Sequence, residues 1–224
     1  AQRWATGYQG PALSQGRIIK QTFGNLQPAG MQSFAFNLRN PLFDDRTLRE
    51  AINLAFDFEW TNKALFYSQY KRTRSYFQNS DLAATGLPSQ AELALLDPFR
   101  KQLPPEVFTQ AFEPPVTNGD GRPRTNLAKA QALLQKAGYQ LRGNQLYTPS
   151  GKPVAFEFLL DSPAFERVVL PFASNLATLG IKLTPRRVDQ PQYVERLRHF
   201  NYDMIVAGFP ESASPGNEQR IYWS

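Results

Sequence analysis

The chain has 224 residues, a formal charge of +6 and 42% hydrophobic residues, enough for one large or two small domains with a real core and too apolar for disorder. With no cysteine it forms neither a disulfide nor a thiolate metal site, and a single histidine, His199, cannot anchor a zinc centre. No stretch approaches the roughly 20 apolar residues of a membrane span, and the basic residues are spread along the chain, which suits an acidic partner or anionic ligand without requiring nucleic acid.

The N-terminus, Ala1 to Trp4, has neither an initiator Met nor a charged-then-apolar leader, so a processed or internal start is expected. Arg17 to Phe23 and Gln32 to Leu38 read as strands. Asp44 or Asp45 then caps a helix with Leu48, Ala51, Ile52 and Ala55 inward, and Asp45/Arg49 and Arg46/Glu50 as surface pairs. A second helix runs from about Glu59 to Tyr67. The proline-bearing stretch from Ser75 to Arg124 holds short helical pieces, Ser89 to Leu96 and Pro105 to Thr109, and the turn Asn118-Gly119-Asp120-Gly121. It reads as an elaboration over a core. Asn126 is expected to cap a helix that buries Leu127, Ala130, Leu134 and Ala137 and ends at Gly138.

The last third is the clearest. Val154, Phe156, Phe158 and Leu160 alternate along one strand face, and Ala155 and Leu159 make the other face largely apolar, as in a strand covered on both sides. Ser162 caps a helix with Pro163 at its first position, Phe165, Val168, Val169, Phe172, Leu176 and Leu179 at helical spacing, and Gly180 at its end; Pro171 should kink it. Ile181 to Val188 is a strand weakened by Pro185, Pro191 to Phe200 a short helix, and Tyr202 to Phe209 a third strand. The βαβαβ order predicts an α/β fold: a mixed sheet with a parallel C-terminal unit and flanking helices. In such sheets ligands occupy the crevice beyond the carboxyl ends of the strands. The polar loop after Phe209, Pro210 to Arg220, is therefore the leading site candidate. Tyr222 and Trp223 so close to the end would lack a partner, which suggests a fragment.

Asn37, Pro41, Asp45, Arg46, Arg49, Ala51 and Asp57 resemble the N…P…D-R-x-x-R-x-A…D stretch of family 5 extracellular solute-binding proteins, the receptors of oligopeptide ABC importers. Asn126 to Ala130 with Leu133, Leu134, Ala137, Gly138 and Tyr139 is similar to that family's A-K-A-x-x-L-L-x-x-A-G helix. Leu179, Gly180, Ile181, Tyr193 and Tyr202 to Met204 resemble its closing βαβ segment. Phe56 to Asn62 and Ser214 to Arg220 look like the YejA-type branch, associated with microcin C and other peptide or peptide-nucleotide ligands.

The resemblance implies one lobe of a type II periplasmic-binding-protein fold: 1–16 as a lobe-connecting segment and 17–224 as the second, ligand-binding lobe, with the elaboration at about 75–124. It also implies a first lobe in the same full-length chain, a periplasmic location with the signal peptide outside this chain, no cofactor, and no membrane insertion. The partners implied are a peptide or modified-peptide ligand and the membrane subunits of an ABC permease. Relatives that bind di- and oligopeptides place an Asp in the loop after the last strand to hold the peptide's α-amino group. Here that stretch is Pro210 to Ser214 without an Asp, and Glu211 takes the role only if its longer side chain turns inward. Otherwise a longer, blocked or modified peptide fits better.

Each candidate has a plain structural alternative. Ser212, Ser214, Asn217 and Glu218 contact ligand or form a solvated Pro-Gly turn. Arg220 grips an anion or makes a salt bridge. Trp60 stacks on ligand or packs in the core or a hinge, and Asn37 and Arg39 bind or shape a turn at a strand exit. Phe66 to Phe77 interleaves aromatics with Arg72 and Arg74, as a strand-binding surface does, but no nucleic-acid fold pattern surrounds it, and a solvated helix end with no nucleic-acid partner is the better reading. A phosphate of a peptide-nucleotide ligand at Arg72 or Arg74 lies between these. The rival function is a small α/β hydrolase or transferase at the same crevice. It needs a nucleophile-base pair or a metal, and no catalytic residue is assigned.

Overall fold

The computed structural model describes residues 2–223. Ala1 and Ser224, the outer bounds of the two expected segments, lie outside the described residues. The elements in order are α1 (Gln2–Thr6), α2 (Pro11–Ser14), β1 (Met31–Phe36), α3 (Arg46–Leu54), α4 (Phe58–Phe66), α5 (Gln90–Leu96), α6 (Glu106–Thr109), α7 (Arg124–Lys136), β2 (Gln140–Arg142), β3 (Gln145–Tyr147), β4 (Ala155–Leu160), α8 (Pro163–Thr178), β5 (Lys182–Arg187), α9 (Gln190–Arg198), β6 (Met204–Phe209) and α10 (Asn217–Trp223). Two compact units divide the chain: one comprises 1–20, 33–71 and 115–207, the other 21–32, 72–114 and 208–224.

The first unit holds the core. Its sheet has the order β1-β6-β4-β5, beside a separate hairpin of β2 and β3. β4 pairs in parallel with β5 from Ala155↔Lys182 to Leu160↔Arg187, and in parallel with β6 at Phe158↔Met204. The three strands of the C-terminal unit are therefore mutually parallel, joined through α8 and α9. β1 runs the other way. The Asn37 amide just beyond its end donates to the Asp203 carbonyl just before β6, and Gly30 just before its start lies against Phe209 and Pro210 at the end of β6. The sheet is mixed. Pro185 is tolerated because β5 is an edge strand, where a missing N–H leaves no ladder partner stranded.

Phe34 is the centre of an aromatic cluster, 4.8 Å from Phe158, 5.4 Å from Phe56 and 5.7 Å from Phe172 between ring centroids. The Phe158 and Phe56 contacts are edge-to-face, and the cluster adds to the burial of the surrounding Leu48, Ile52, Leu134, Val169 and Leu176. Asn175 extends the packing by donating to the Ala55 carbonyl at the end of α3 (3.1 Å). Gly180, at φ +77°, could not carry a side chain: a Cβ there would lie 2.8 Å from the Leu146 nitrogen.

Local signals hold. Asp45, Ser89 and Ser162 cap α3, α5 and α8 through side-chain acceptance of backbone N–H groups, and α8 runs as one helix of 16 residues through Pro171. Four expectations change. Arg17 to Phe23 has no regular structure, because no neighbouring strand takes its hydrogen bonds among the described residues. Asn126 is not a cap but a buried residue inside α7, donating to the Val116 carbonyl (3.0 Å). Asp45 does not pair with Arg49, which donates instead to the carbonyls of Phe43 and Asp44. The second face of β4 is only partly covered, with Leu159 buried, Ala155 exposed, and Glu157 half-buried against Arg196 at 2.6 Å.

Asp45 also accepts from the Tyr139 hydroxyl (2.7 Å), tying α3 to the residue after α7. Burial raises the Asp45 carboxyl, but the bonds from Tyr139, Thr47 and Leu48 outweigh it and hold the group below its ordinary 3.8. Burial, then the bond to Asp45, pushes the Tyr139 phenol up. A carboxyl lowered on folding contributes stability above its unfolded value, and loses it as pH falls through the folded value. Tyr139→Phe is thus expected to lower stability at neutral pH and to flatten its decline below about pH 4, as read by urea denaturation across a pH series.

Candidate functional site

In the second unit the chain leaves β6 at Phe209 and turns sharply. A Cβ on Gly30 would lie 2.8 Å from both the Phe209 carbonyl oxygen and Pro210 Cα, so the turn depends on glycine there. The Ser212 hydroxyl donates to the Ser214 carbonyl at 2.5 Å and to Glu218 Oε1 at 3.4 Å. The Gly216 amide donates to the same Glu218 oxygen at 2.7 Å. This amide bond is the main reason that the Glu218 carboxyl lies below its ordinary value. Asn217 opens α10, and Arg220 lies exposed along it. Ser212, Ser214 and Glu218 are thus brought together as a self-bonded loop, with Asn217 and Arg220 on the helix that follows.

Beside this loop stands an aromatic group. Tyr76 lies edge-on to Phe209 (5.5 Å) and to Trp223 (4.7 Å), and Tyr222 lies edge-on to Phe209 (5.5 Å), so Tyr222 and Trp223, expected to lack partners, have them. Glu211 turns away from solvent: one carboxylate oxygen accepts from the Gln219 side-chain amide, while Oε1 is buried with no hydrogen-bond partner among the described residues. Burial, and secondarily the charge of Glu211, raises the Tyr76 phenol above 10.0. An uncompensated buried carboxylate oxygen is costly, and a cation placed beside it supplies the missing partner.

The other candidates lie in the first unit. Trp60 packs its indole on the 118–121 turn, where a Cβ on Gly121 would lie 3.1 Å from the ring nitrogen. Asp57 fixes this arrangement by accepting from the Trp60 amide (3.0 Å) and the Gly121 amide (3.0 Å). Asn37 and Arg39 come together at the amino end of β6. The buried Asn37 amide donates to the carbonyls of Phe200 (2.9 Å) and Tyr202 (2.7 Å) and accepts from the Arg39 N–H (3.1 Å), so its side chain is occupied by the fold. His199 faces Glu195 at 2.8 Å on an exposed helix end; back in the second unit, Arg74 pairs with Glu113 at 3.1 Å. No group of three potential metal ligands occurs among the described residues.

Sequence reasoning missed Tyr76 and Gln219 as neighbours of Glu211, and Phe200 and Tyr202 as neighbours of Arg39. Gln219 follows Glu211 by eight residues. Tyr76 sits inside a basic-aromatic run with no periodic signal of its own.

The sequence pattern described as "Bacterial extracellular solute-binding proteins, family 5 Middle" matches residues 2–224. The chain belongs to this family. It is 46% identical over 225 residues to an uncharacterized protein named YejA of Escherichia coli, covering 100% of this chain and 37% of that protein. It is 43% identical over 224 residues to a protein of Agrobacterium fabrum described as a probable peptide-binding protein, covering 99% of this chain and 36% of that one. The chain thus spans little more than a third of the length of the curated relatives it matches. Among solved structures, the oligopeptide-binding protein AppA of Bacillus subtilis, in complex with a nonapeptide, superposes with a TM-score of 0.60 at 18% identity, over 85% of this chain and 33% of that one. That likeness establishes the fold, which is that of type II periplasmic binding proteins. The family is one of binding proteins rather than enzymes.

Glu211→Gln is expected to lower the Tyr76 phenol pKa while leaving it above 10.0, since the burial contribution persists. Titration of carbon-13-labelled tyrosine checks this; an unchanged Tyr76 would place the Glu211 charge elsewhere.

Proposed function

We propose that the chain is the second ligand-binding lobe of a periplasmic receptor that captures peptides between two lobes and hands them to the membrane subunits of an ABC permease. In this reading 17–224 is the lobe, 1–16 leads into it from the first lobe, and about 75–124 is an elaboration. Three things support it: membership of the family, a relative named as a probable peptide-binding protein, and a structural neighbour that holds a nonapeptide.

The observation that carries the ligand assignment is the inward Glu211, with its unpartnered oxygen beside Tyr76. A carboxylate so placed suits the ammonium of a free peptide N-terminus, and the longer Glu does the work of the shorter Asp of other relatives. The ring of Tyr76 adds attraction for the same cation. Ser212, Ser214, Asn217, Glu218 and Arg220 then act on the peptide backbone and its carboxylate. Closure of the lobes by hinge motion completes the site.

Calorimetry on the full-length gene product tests this with free and N-acetylated forms of one peptide panel. Free peptides are expected to bind more tightly than acetylated ones. Glu211→Gln should cost about tenfold for free peptides, the scale of one charge-assisted bond, and little for acetylated ones. Asn217→Ala and Arg220→Ala should each weaken both. Equal binding of free and acetylated peptides would sink the ammonium assignment and favour blocked or modified ligands, including the peptide-nucleotide type. Unchanged affinity in all three variants would remove the loop from the site.

A further inference from the structure

The turn between α9 and β6 closes the helix in a left-handed residue: the Phe200 amide donates to the Leu197 carbonyl and the Asn201 amide to the Arg196 carbonyl, an ending in which glycine or asparagine is usual and a phenylalanine is not. Phe200 sits at φ 52°, in the left-handed region that favours glycine or asparagine. It is 44% exposed, so burial of the ring does not offset the conformation. The turn is held by Asn37, whose buried amide donates to the carbonyls on either side of Asn201. What the Phe200 ring touches is Arg39, whose guanidinium carbon lies 3.5 Å from the ring centroid.

The arrangement leaves the Arg39 fork available. Among the described residues its guanidinium makes no hydrogen bond or ion pair, although its backbone is fixed by Asn37. It borders a depression of about 360 Å³ that is also lined by Phe200, Asn201, Tyr202, Glu157 and Asp203. The other charges there are already matched. Arg196 pairs with Glu157 at 2.6 Å, and Asp203 accepts from the Asn40 side chain and the Glu157 amide, both at 2.8 Å. A guanidinium stacked on an aromatic face keeps its edge donors pointed outward in a fixed plane, the geometry that matches a planar two-oxygen acceptor. The two carboxylates nearby repel a dianion more strongly than a monoanion, which selects against phosphate.

We propose that Arg39, backed by Phe200 and flanked by the Tyr202 phenol, is a binding site for a carboxylate group gripped through both guanidinium edges. This inference is independent of the Glu211 reading, and it gives a purpose to an aromatic residue in a glycine conformation. The carboxylate has two sources, a small free acid or the side chain of a partner protein.

The test follows the Arg39 Nε–H NMR signal of the full-length gene product during titration with acetate, with a Glu-containing N-acetylated peptide amide, and with inorganic phosphate. A saturable shift with acetate assigns a free acid, and a shift with the peptide alone assigns a partner's side chain; either supports the proposal. Arg39→Gln should weaken that binding about tenfold, and Arg39→Lys nearly as much, since lysine keeps the charge but not the fork. Phe200→Gly should weaken binding about threefold while the Tm stays level or rises, because glycine accepts the backbone conformation without strain. No shift with either carboxylate, a phosphate response as strong as theirs, or Phe200→Gly lowering the Tm with binding intact would each overturn the proposal. Because the readout is local to Arg39, these outcomes are separate from the fate of Glu211→Gln at the peptide loop.

Discussion

β4 must satisfy hydrogen-bonding neighbours on both of its edges while burying Phe156, Phe158 and Leu160 on one face. With β5 on one side and β6 on the other, both parallel, the chain has to return twice to the same end of the sheet, and α8 and α9 are the two returns. Parallel pairing needs such crossovers, because no tight turn can join two strands that point the same way. The rest of the first unit is arranged around that demand. α8 lays Val169, Phe172 and Leu176 over the sheet, and Asn175 ties it to the end of α3. α9 delivers Arg196 to Glu157 and then the turn through Phe200 that admits β6.

The same placement governs the polar groups. Asp203, immediately before β6, answers the Glu157 amide on β4 and the Asn40 side chain near the end of β1. Asn37 answers two carbonyls of the turn. Asp57 does the corresponding work for the turn at 118–121, accepting from two backbone amides. In these places a buried polar group is matched by a specific donor or acceptor, as folding requires. Glu211 and Arg39 depart from that rule in opposite senses. Among the described residues, one is a carboxylate oxygen buried without a donor, the other a guanidinium held over a ring without an acceptor. Groups left unsatisfied in an otherwise satisfied structure are where a ligand has most to contribute.

By itself the sequence determined whatever depends on residues a few positions apart. The caps at Asp45 and Ser162, the helix end at Gly180 and the alternation of Val154 to Leu160 are short-range facts, and βαβαβ order follows from them because the topology of parallel strands admits few solutions. The family motifs were legible for the same reason, since they keep their spacing. Tertiary structure alone decided the rest. Arg17 to Phe23 has a strand-like composition but no sheet neighbour, and Asn126 looks like a cap until Val116, ten residues earlier, claims its amide. Pro185 weakens a strand in the sequence, yet is harmless because β5 falls at an edge. The inward turn of Glu211 beside Tyr76, and the stacking of Arg39 on Phe200, join residues 135 and 161 positions apart. No local propensity encodes such pairs, because their energy exists only once the intervening chain has folded and brought them within reach.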